Sequence, residues 1–462
     1  MSTSAIITAK GRRRSKHYRF LGIIPLPSYF HPHFRPYLPP YLCLCLCLIL
    51  QLGGIGANIS YAAQSNSEST TVSFYTWRRQ DIELWEQISQ QNMIPGVKIR
   101  VVTSFRHYYP DYVILELQNN NADIFLWPPG ASSLKPLIEH QLIAPYEGDL
   151  SQMNASALVG GKGPDGKYYG VPSAIQLQSV MVNRKLLDKL GIRNKPSSLS
   201  ELSAMFDTLK SAGVTPLHLA GGTNWYLSQV VSEVLMAGLV DSDFTQGLIS
   251  GQRCFYEDEY QLIFTTLLKW QKAGYLNQDI VKGDYTVMSK AVALGNSAMS
   301  IDGGWMASPT SDFYNVDPGY KFDFWAIPGA SGKVYTHGDG TFQVGTTSNK
   351  LAAAKQVLEF TKTKKFAEMF VKYVNELPAY GGDIYIPPGD LNNMATLSKQ
   401  QSYAASLFAA YELNRGELPY NGLVVTAIQD LLKGKASPEQ ATRAIQTGLN
   451  SWQYIGHANC QQ

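Results

Sequence analysis

Short apolar runs alternate along residues 72–453 with longer stretches in which apolar residues recur at helical spacing. An apolar run of about four to eight residues bounded by turn residues predicts a buried strand, and helical spacing predicts a helix with one buried face. The predicted strands are 72–77, 97–102, 123–127, 179–182, 216–220, 298–301, 322–327 and 342–344. The predicted helices are 81–93, 112–118, 184–190, 200–211, 225–237, 257–272, 285–294, 351–363, 364–375, 399–414, 421–433 and 438–453.

This alternation of strands and helices is typical of βαβ units, which build a mainly parallel sheet covered by helices. The length of 462 residues allows two or three domains of roughly 100–200 residues each. Ser437 and Pro438 fit the positions that cap and begin a helix, which supports the last predicted helix. The sequence therefore predicts an α/β protein of more than one domain, and such domains bind ligands at the carboxyl ends of strands.

The N-terminal 62 residues differ in composition from the rest of the chain. They hold seven Lys and Arg residues and no Asp or Glu, and an apolar run at 41–52 follows a proline-rich stretch. That run fits the apolar core of a secretory signal peptide and is shorter than the ~20 residues that cross a bilayer. The small residues Ser60 and Ala62 predict cleavage after Ala62, with cleavage after Ala63 and an uncleaved membrane anchor as alternatives.

The cysteines fall into two groups. Cys43, Cys45 and Cys47 each follow a leucine inside the apolar run, so lipoprotein processing, which needs a small residue before the cysteine, is not expected. Cys254 and Cys460 remain after cleavage and can pair in an oxidising compartment. Cys460 lies near the chain end, where chains often fray, so the pairing stays open. Neither cysteine has a metal-type partner at short spacing, and no metal is expected.

The net charge of the chain limits the classes of partner that it can bind. The formal net charge is +3, and removing the seven positive charges of the leader leaves −4 for residues 63–462. A mildly acidic body argues against a nucleic-acid or anionic-membrane binder that works through bulk charge. Hydrophobic residues make up 45% of the chain, so it can bury a real core, and residues 63–71 form a polar linker ahead of that core.

Catalytic motifs are absent from the sequence. It contains no nucleophile elbow, zinc-protease motif, phosphate loop or dinucleotide fingerprint, and its histidines after the leader are isolated from one another. Asp302 and Asp339 lie beside glycines, which fits turn formation. They also fit a pair of cleft carboxylates, and spatial separation rather than sequence defines a glycosidase pair. The sequence therefore favours a binding protein without a cofactor, with a secreted carbohydrate-active enzyme as the alternative.

Aromatic residues at strand ends are the most informative chemical feature. Trp77 and Trp127 follow predicted strands, and Trp225 and Trp305 each follow a glycine-containing segment after a strand. A flat indole offers a broad apolar face and one N–H donor. Sugars present C–H-rich faces with hydroxyl groups at the rim, so several indoles at one cleft suit a carbohydrate. Trp85, Trp270, Trp325 and Trp452 lie within helices or in mid-strand and are predicted to be structural.

Several segments of the chain resemble, in the same order and at similar spacing, those of a known family. The segments are 121–127, 166–172, 182–191, 295–305, 353–360, 377–378 and 434–441. In this respect the chain resembles the extracellular solute-binding proteins of family 1, the periplasmic receptors of bacterial ABC sugar importers, which include the maltodextrin receptor. The resemblance covers about residues 72–452. It implies a periplasmic-binding-protein fold, in which two α/β lobes are joined by chain crossings and a hinged cleft lies between them.

The resemblance also implies boundaries. Lobe one would comprise 72–174 and 330–374, lobe two 175–329 and 375–457, with a tail at 458–462. The crossings between lobes would lie near 174–178, 326–330 and 375–381.

The family's ligand contacts are carried over residue by residue. The implied contacts are Trp77, Arg78, Trp127, Gln176, Gln178, Asn224, Trp225, Gly304, Trp305 and Asp339. The Pro128-Pro129-Gly130 sequence after Trp127 departs from the maltodextrin receptor, which has charged residues there, so the resemblance does not specify maltose.

The implied function is that of a monomeric periplasmic receptor. It would capture a carbohydrate, most simply an oligosaccharide, in the interlobe cleft and deliver it to the transmembrane subunits of the importer. Sugar that contacts both lobes would favour the closed state through its differential affinity for that state. The same fold can bind a polyol, a polyamine or a sugar phosphate, and Arg78 with Arg79 leaves an acidic sugar open.

Overall fold

The computed structural model describes residues 69–104, 108–309, 311–403 and 405–461. The predicted leader (1–62) and residues 63–68 of the predicted linker lie outside the described residues. Thr70 and Thr71, which the sequence analysis assigned to the linker, belong to the first strand. Within the described ranges, no helix combines the length and the apolar character that crossing a bilayer requires.

Strands and helices alternate through the first three quarters of the described chain. The strands are β1 (Thr70–Thr76), β2 (Val97–Thr103), β3 (Ile124–Trp127), β4 (Val171–Pro172), β5 (Ala174–Asn183), β6 (Thr215–His218), β7 (Ser297–Gly303), β8 (Phe322–Trp325), β9 (Val334–Gly338), β10 (Thr341–Val344), β11 (Leu377–Pro378) and β12 (Ser402–Tyr403). The helices are α1 (Ile82–Gln90), α2 (Tyr109–Gln118), α3 (Ala131–Glu139), α4 (Ala155–Leu158), α5 (Arg184–Lys189), α6 (Leu199–Ser211), α7 (Asn224–Tyr226), α8 (Ser232–Leu239), α9 (Ser242–Ser250), α10 (Asp258–Lys272), α11 (Tyr285–Ala293), α12 (Asp312–Val316), α13 (Leu351–Phe360), α14 (Lys364–Val374), α15 (Asp390–Gln400), α16 (Tyr411–Asn414), α17 (Tyr420–Leu432) and α18 (Pro438–Asn450). Short 3₁₀ turns occupy Arg79–Asp81, Val159–Gly161 and Gly304–Ala307.

The strands form two sheets, each with its own helices and core, and we call them lobe one and lobe two. In lobe one the strand order is β2-β1-β3-β10-β4. β1 runs parallel to β2 and β3, and β10 pairs antiparallel with β3 and β4. Lobe one therefore contains the parallel arrangement that the alternating pattern predicted.

Lobe two differs from the prediction of a mainly parallel sheet. Its path is β12-β9-β5-β7-β6, with β8 and β11 also paired to β5. The ten-residue strand β5 is antiparallel to β7, β8, β9 and β11, and the parallel pairs are β6 with β7 and β9 with β12. β5 enters from lobe one directly after β4 and so runs against its neighbours. A hydrophobic pattern indicates which residues are buried but not which way a strand runs. The prediction of a mainly parallel sheet was therefore wrong for lobe two.

Two predicted helices also need correction. The chain does not form one helix over 399–414: α15 ends at Gln400, and Tyr403 then pairs with Tyr335 of β9. The backbone N–H of Phe408 donates to the buried carboxyl of Glu233 at 2.9 Å instead of to a helical carbonyl. The predicted helix 225–237 is divided by a wider π-type turn at Leu227–Val231 between α7 and α8.

The C-terminal segment closes on lobe two. Cys254 and Cys460 form a disulfide, which fixes the pairing that the sequence left open. Cys460 is fully buried and ties this end of the chain to lobe two, whereas Ala458, Asn459 and Gln461 are exposed. The Ser437 hydroxyl caps α18 by accepting a bond from the Gln440 backbone N–H, and the Gln440 side-chain oxygen accepts one from the Ser437 backbone N–H. This capping box satisfies two otherwise unpaired donors at the start of the last helix.

Candidate functional site

Three chain segments pass between the lobes, and they lie side by side. One runs from β4 through Ser173 into β5, the second from β9 through Asp339 into β10, and the third from α14 into β11. The Ser173 hydroxyl donates to the Asp339 carbonyl at 2.6 Å, and the Asp339 N–H donates to the Ala174 carbonyl at 3.0 Å. The Ala379 N–H, on the third crossing, donates to the Ser173 carbonyl at 3.2 Å. The backbone thus ties the crossings into one unit.

The second crossing lies later than the sequence analysis placed it. β9 pairs with β5 and β12 and therefore belongs to the sheet of lobe two. The chain leaves lobe two at Gly338–Gly340 rather than near 326–330, which removes 330–338 from the predicted range of lobe one. Gly340 has φ +91°, a left-handed backbone conformation that favours glycine.

Arg78 is buried at the centre of the crossings, with 2% of its surface exposed. It follows β1, and its Nε binds Asp81 at 3.0 Å, Nη1 binds Asp339 at 2.5 Å and Nη2 binds Glu376 at 2.9 Å. One guanidinium therefore faces three carboxyl groups. We call Arg78, Asp81, Gln176, Asp339 and Glu376 the crossing network.

Gln176 connects lobe two to the crossing network. Its Nε2 donates to Glu376 Oε2 at 2.5 Å and to Asp339 Oδ2 at 3.3 Å. Burial raises the pKa of Asp81 to about 7, against the lowering effect of the neighbouring Arg78. The network therefore carries less negative charge near neutral pH than three carboxylates would. Charge pairs at this depth are costly to break, so the network holds the three crossings together.

Two glycines near the crossing network connect it in space or in sequence to predicted site tryptophans. A Cβ atom added to Gly340 would come within 3.1 Å of the Trp77 ring, and one added to Gly304 would come within 3.3 Å of Gln176 Oε1. Gly304 directly precedes Trp305. Trp77 of lobe one therefore lies beside the second crossing, and Trp305 of lobe two directly follows a glycine that lies close to Gln176. We call the crossing network the floor of the site.

Lobe two carries an aromatic cluster beside this floor, made of Trp225, Tyr226, Tyr285 and Trp305. The Trp225 and Tyr285 ring centroids are 5.1 Å apart, and those of Trp225 and Trp305 are 6.4 Å apart. Trp225, Tyr285 and Trp305 are partly exposed, whereas Tyr226 is buried. Two indoles thus keep accessible surface at the same edge of the lobe.

A buried carboxyl group anchors the aromatic cluster. Trp305 Nε1 donates to the Tyr285 hydroxyl at 2.7 Å, and that hydroxyl donates to Asp302 Oδ1 at 2.8 Å. Asp302 lies one residue before the end of β7 with no exposed surface, and burial raises its pKa to about 7. Asp302 is therefore an internal acceptor rather than a surface turn residue or an open cleft carboxylate.

The structure does not bring every predicted contact to an open surface. Trp127 is 2% exposed, its indole N–H donates to the Ser133 carbonyl at 2.9 Å, and it packs edge-on against Phe125. This local bond satisfies its only donor and makes it part of the core of lobe one. Arg78 and Gln176 are buried in the crossing network, and Gln178 is buried on β5. Asn224 is exposed at the start of α7 and accepts a bond from Gln429 at 3.4 Å.

Sequence reasoning missed two residues of this region, Tyr285 and Glu376. Tyr285 opens α11 after its cap Asp284, and an aromatic residue in a first helical turn was the only signal it gave. Glu376 directly precedes Leu377-Pro378, a predicted crossing, so a charged residue at that point was a usable signal. Among the described residues, no group of three or more His, Cys, Asp or Glu side chains is arranged to hold a metal ion.

Two further side-chain bonds join the lobes. The Ser132 hydroxyl, on α3 of lobe one, donates to the Asn414 carbonyl of lobe two at 3.1 Å. The Asn375 side chain, which ends α14, donates to the Ala307 carbonyl at 2.8 Å. The first bond lies away from the crossings, and the second lies at the start of the third crossing.

Comparison with known proteins supplies a family for this architecture. A family model described as "Bacterial extracellular solute-binding protein" matches residues 82–368. An uncharacterized ABC transporter extracellular-binding protein of Pyrococcus horikoshii is 27% identical over 217 residues, which cover 46% of this chain and 47% of the relative. A "Probable sugar-binding periplasmic protein" of Mesorhizobium japonicum is 23% identical over 222 residues, covering 46% of this chain and 51% of the relative. The chain spans about half the length of the curated relatives it matches.

Solved structures share the whole two-lobe arrangement. A chitin oligosaccharide binding protein superposes with a TM-score of 0.67 at 18% identity, over 83% of this chain and 99% of that one. The two-lobe α/β prediction is confirmed by this likeness, which at that identity concerns the fold alone.

Proposed function

Since the chain belongs to the bacterial extracellular solute-binding protein family, we propose that it is the sugar-binding receptor of an ABC importer. The sugar binds between the lobes and is delivered unchanged to the membrane subunits. The single observation that carries this proposal is the pair of partly exposed indoles, Trp225 and Trp305, beside a polar floor that spans the crossings.

The chemistry of this surface suits a sugar ring. Trp225 and Trp305 offer apolar faces for the C–H side of a pyranose, and Trp77 offers a third from lobe one. Asn224 supplies hydrogen-bonding groups for hydroxyls at the rim, and Asp339 lies deeper, 7% exposed and bonded to Arg78 and Gln176. Gly304 contributes by having no side chain, because a Cβ there would fill the space next to Gln176.

The charge of the floor favours a neutral sugar over an acidic one. Arg78, one of the two arginines that left an acidic ligand open in the sequence, is occupied by Asp81, Asp339 and Glu376. A carboxylate or phosphate on the ligand would meet these acidic groups, and the Arg78 guanidinium that could bind it is already paired with them. Arg78 and Gln176 therefore support the floor rather than contact the ligand.

Transport follows from linkage between binding and closure. A sugar that contacts Trp77 on lobe one and Trp305 on lobe two stabilises the state in which both surfaces are close, by its differential affinity for that state. The crossings act as the hinge, and the importer's membrane subunits recognise the closed form. The Cys254–Cys460 disulfide supports a location outside the cytoplasm, where disulfides form and persist.

A thermal-shift screen of residues 63–462 with neutral and acidic oligosaccharides tests the proposal. A bound sugar raises the melting temperature by mass action, and a neutral oligosaccharide is expected to give the largest rise. Trp305→Ala should remove that rise. Trp452→Ala is the matched control, because Trp452 is also partly buried in lobe two but bonds to the Leu418 carbonyl outside the aromatic cluster. Release of shortened sugars, or no shift with any saccharide, contradicts the proposal.

A further inference from the structure

The indole of Trp305 is held in one orientation by contacts from the preceding strand β7 and from the neighbouring helix α11. Its Nε1 donates to the Tyr285 hydroxyl on α11 at 2.7 Å. That hydroxyl donates to Asp302 Oδ1 at 2.8 Å, and the Gly303 backbone N–H donates to the same oxygen at 2.9 Å. The buried Asp302 oxygen therefore fixes Tyr285, and Tyr285 fixes the ring.

Gly303 completes the arrangement by leaving room for the ring. A Cβ atom added there would lie 2.2 Å from the Trp305 ring, far inside any real contact. The backbone of Gly303 is extended, with φ −117°, a conformation that any residue adopts. The position therefore excludes a side chain because of the Trp305 ring and not because of the backbone.

We propose that Tyr285 and Asp302 are positioning residues which, with Gly303, fix the plane of the Trp305 indole for stacking against a sugar. The proposal rests on the proposed function and names the residues that set its affinity. A free tryptophan side chain loses rotamer freedom when a ligand packs on it, and that loss weakens binding. Here the hydrogen bonds restrict the ring before the sugar arrives, so the binding surface is preformed.

Three variants separate the parts of this arrangement. Tyr285→Phe keeps the ring of the tyrosine and removes only the hydroxyl between Trp305 and Asp302. Asp302→Asn keeps an oxygen that can accept from Tyr285, whereas Asp302→Ala removes it. Gly303→Ala keeps the backbone and displaces the Trp305 ring.

A control of the same chemistry lies in the same cluster. The Tyr226 hydroxyl donates to the Ile301 carbonyl at 2.8 Å, and its ring centroid is 5.7 Å from that of Tyr285. Tyr226→Phe therefore removes one buried hydroxyl bond of lobe two without removing a bond to Trp305. Its effect on affinity measures what general loosening of the cluster contributes.

The first measurement is calorimetric titration with maltotetraose, cellotetraose and raffinose. Tyr285→Phe and Asp302→Ala are expected to weaken binding by about two- to tenfold, the range for one lost hydrogen bond. Asp302→Asn should restore affinity to within about twofold of wild type, and Tyr226→Phe should match wild type. Gly303→Ala should weaken binding at least as much as Tyr285→Phe.

The second measurement does not need a sugar. The Nε1–H resonance of Trp305, assigned in ¹⁵N-labelled protein by its loss in Trp305→Phe, reports the bond to Tyr285 directly. In Tyr285→Phe this resonance should move and its exchange with water should accelerate about tenfold, whereas Tyr226→Phe should leave it in place. If wild type binds none of the sugars, the proposed function fails and the resonance still decides the positioning role. An unchanged resonance in Tyr285→Phe, or equal losses in Tyr285→Phe and Tyr226→Phe, overturns the proposal.

Discussion

Replacing Arg78 with methionine is the most severe test of the crossing network. Methionine has a similar length and no charge, so Asp81, Asp339 and Glu376 would be left without their shared cation. Removing one partner of a buried ion pair costs about 3–5 kcal/mol, because the remaining charge stays buried and uncompensated. We expect the free energy of unfolding of Arg78→Met to fall by that amount near neutral pH.

The loss should depend on pH with a definite sign. The folded-state pKa of Asp81 is raised to about 7 by burial, although Arg78 lowers it. Between about pH 4 and 7 the folded protein keeps a proton that the unfolded chain releases, so stability falls as pH rises. Without Arg78 its lowering effect on this pKa disappears, and the proton is kept to higher pH. The deficit of Arg78→Met should therefore be smaller at about pH 5.5 than at about pH 8.

Urea unfolding followed by far-UV circular dichroism at both pH values measures this difference. Arg443→Met is the matched control, because Arg443 pairs with Glu439 on the exposed face of α18, with both side chains well exposed. Exposed pairs of this kind contribute about 0–1 kcal/mol. If Arg78→Met loses no more stability than Arg443→Met, or loses the same amount at both pH values, the account of the network is wrong. Glu376→Gln keeps Arg78 and two of its carboxyl partners, so it should lower the free energy of unfolding less than Arg78→Met does. It replaces Arg78→Met in the test if that variant does not fold.

Two further predictions concern lobe two. Cys460→Ser removes the Cys254–Cys460 disulfide and should lower the free energy of unfolding by about 2–5 kcal/mol. A reductant should lower the urea midpoint of wild type but not that of the variant, which has no disulfide to lose. Equal sensitivity of the two proteins to reductant would contradict a stabilising role for the disulfide. Burial raises the pKa of Glu233 to about 8, so the urea midpoint of wild type should fall as the pH rises from about 4.5 to 8. Glu233→Gln keeps an acceptor for the Phe408 N–H and should make that fall smaller. Parallel pH profiles of the two proteins would refute the raised pKa of Glu233.

Local patterns predicted much of the fold. The strand at Val97–Thr103 and the helices at Leu199–Ser211 and Asp258–Lys272 lie within a residue or two of the predicted ranges, because their apolar spacing is regular. The direction of β5 was not predictable, since it depends on where the chain crosses between lobes. The segment around Phe408 failed for a similar reason, because Glu233 binds it from 175 residues away.

The candidate site shows the same division between local and distant causes. Trp225 and Trp305 were predicted from their positions after strands, and the structure brings them together. Trp127 was wrong as an open stacking residue because a bond to Ser133, six residues away, turns its indole into the core. Asp81, three residues from Arg78, was within reach of a local pattern, but its other two partners lie 261 and 298 residues along the chain and no such pattern could show them.

The measurement that tests the central claim most directly is a crystal structure of residues 63–462 with the oligosaccharide that gives the largest thermal shift. The account predicts a sugar ring between the lobes, with its carbon atoms about 4 Å from the faces of Trp225 and Trp305 and its hydroxyls toward Asn224 and Asp339. A sugar bound elsewhere on the protein, or one whose ring contacts neither indole, would contradict it.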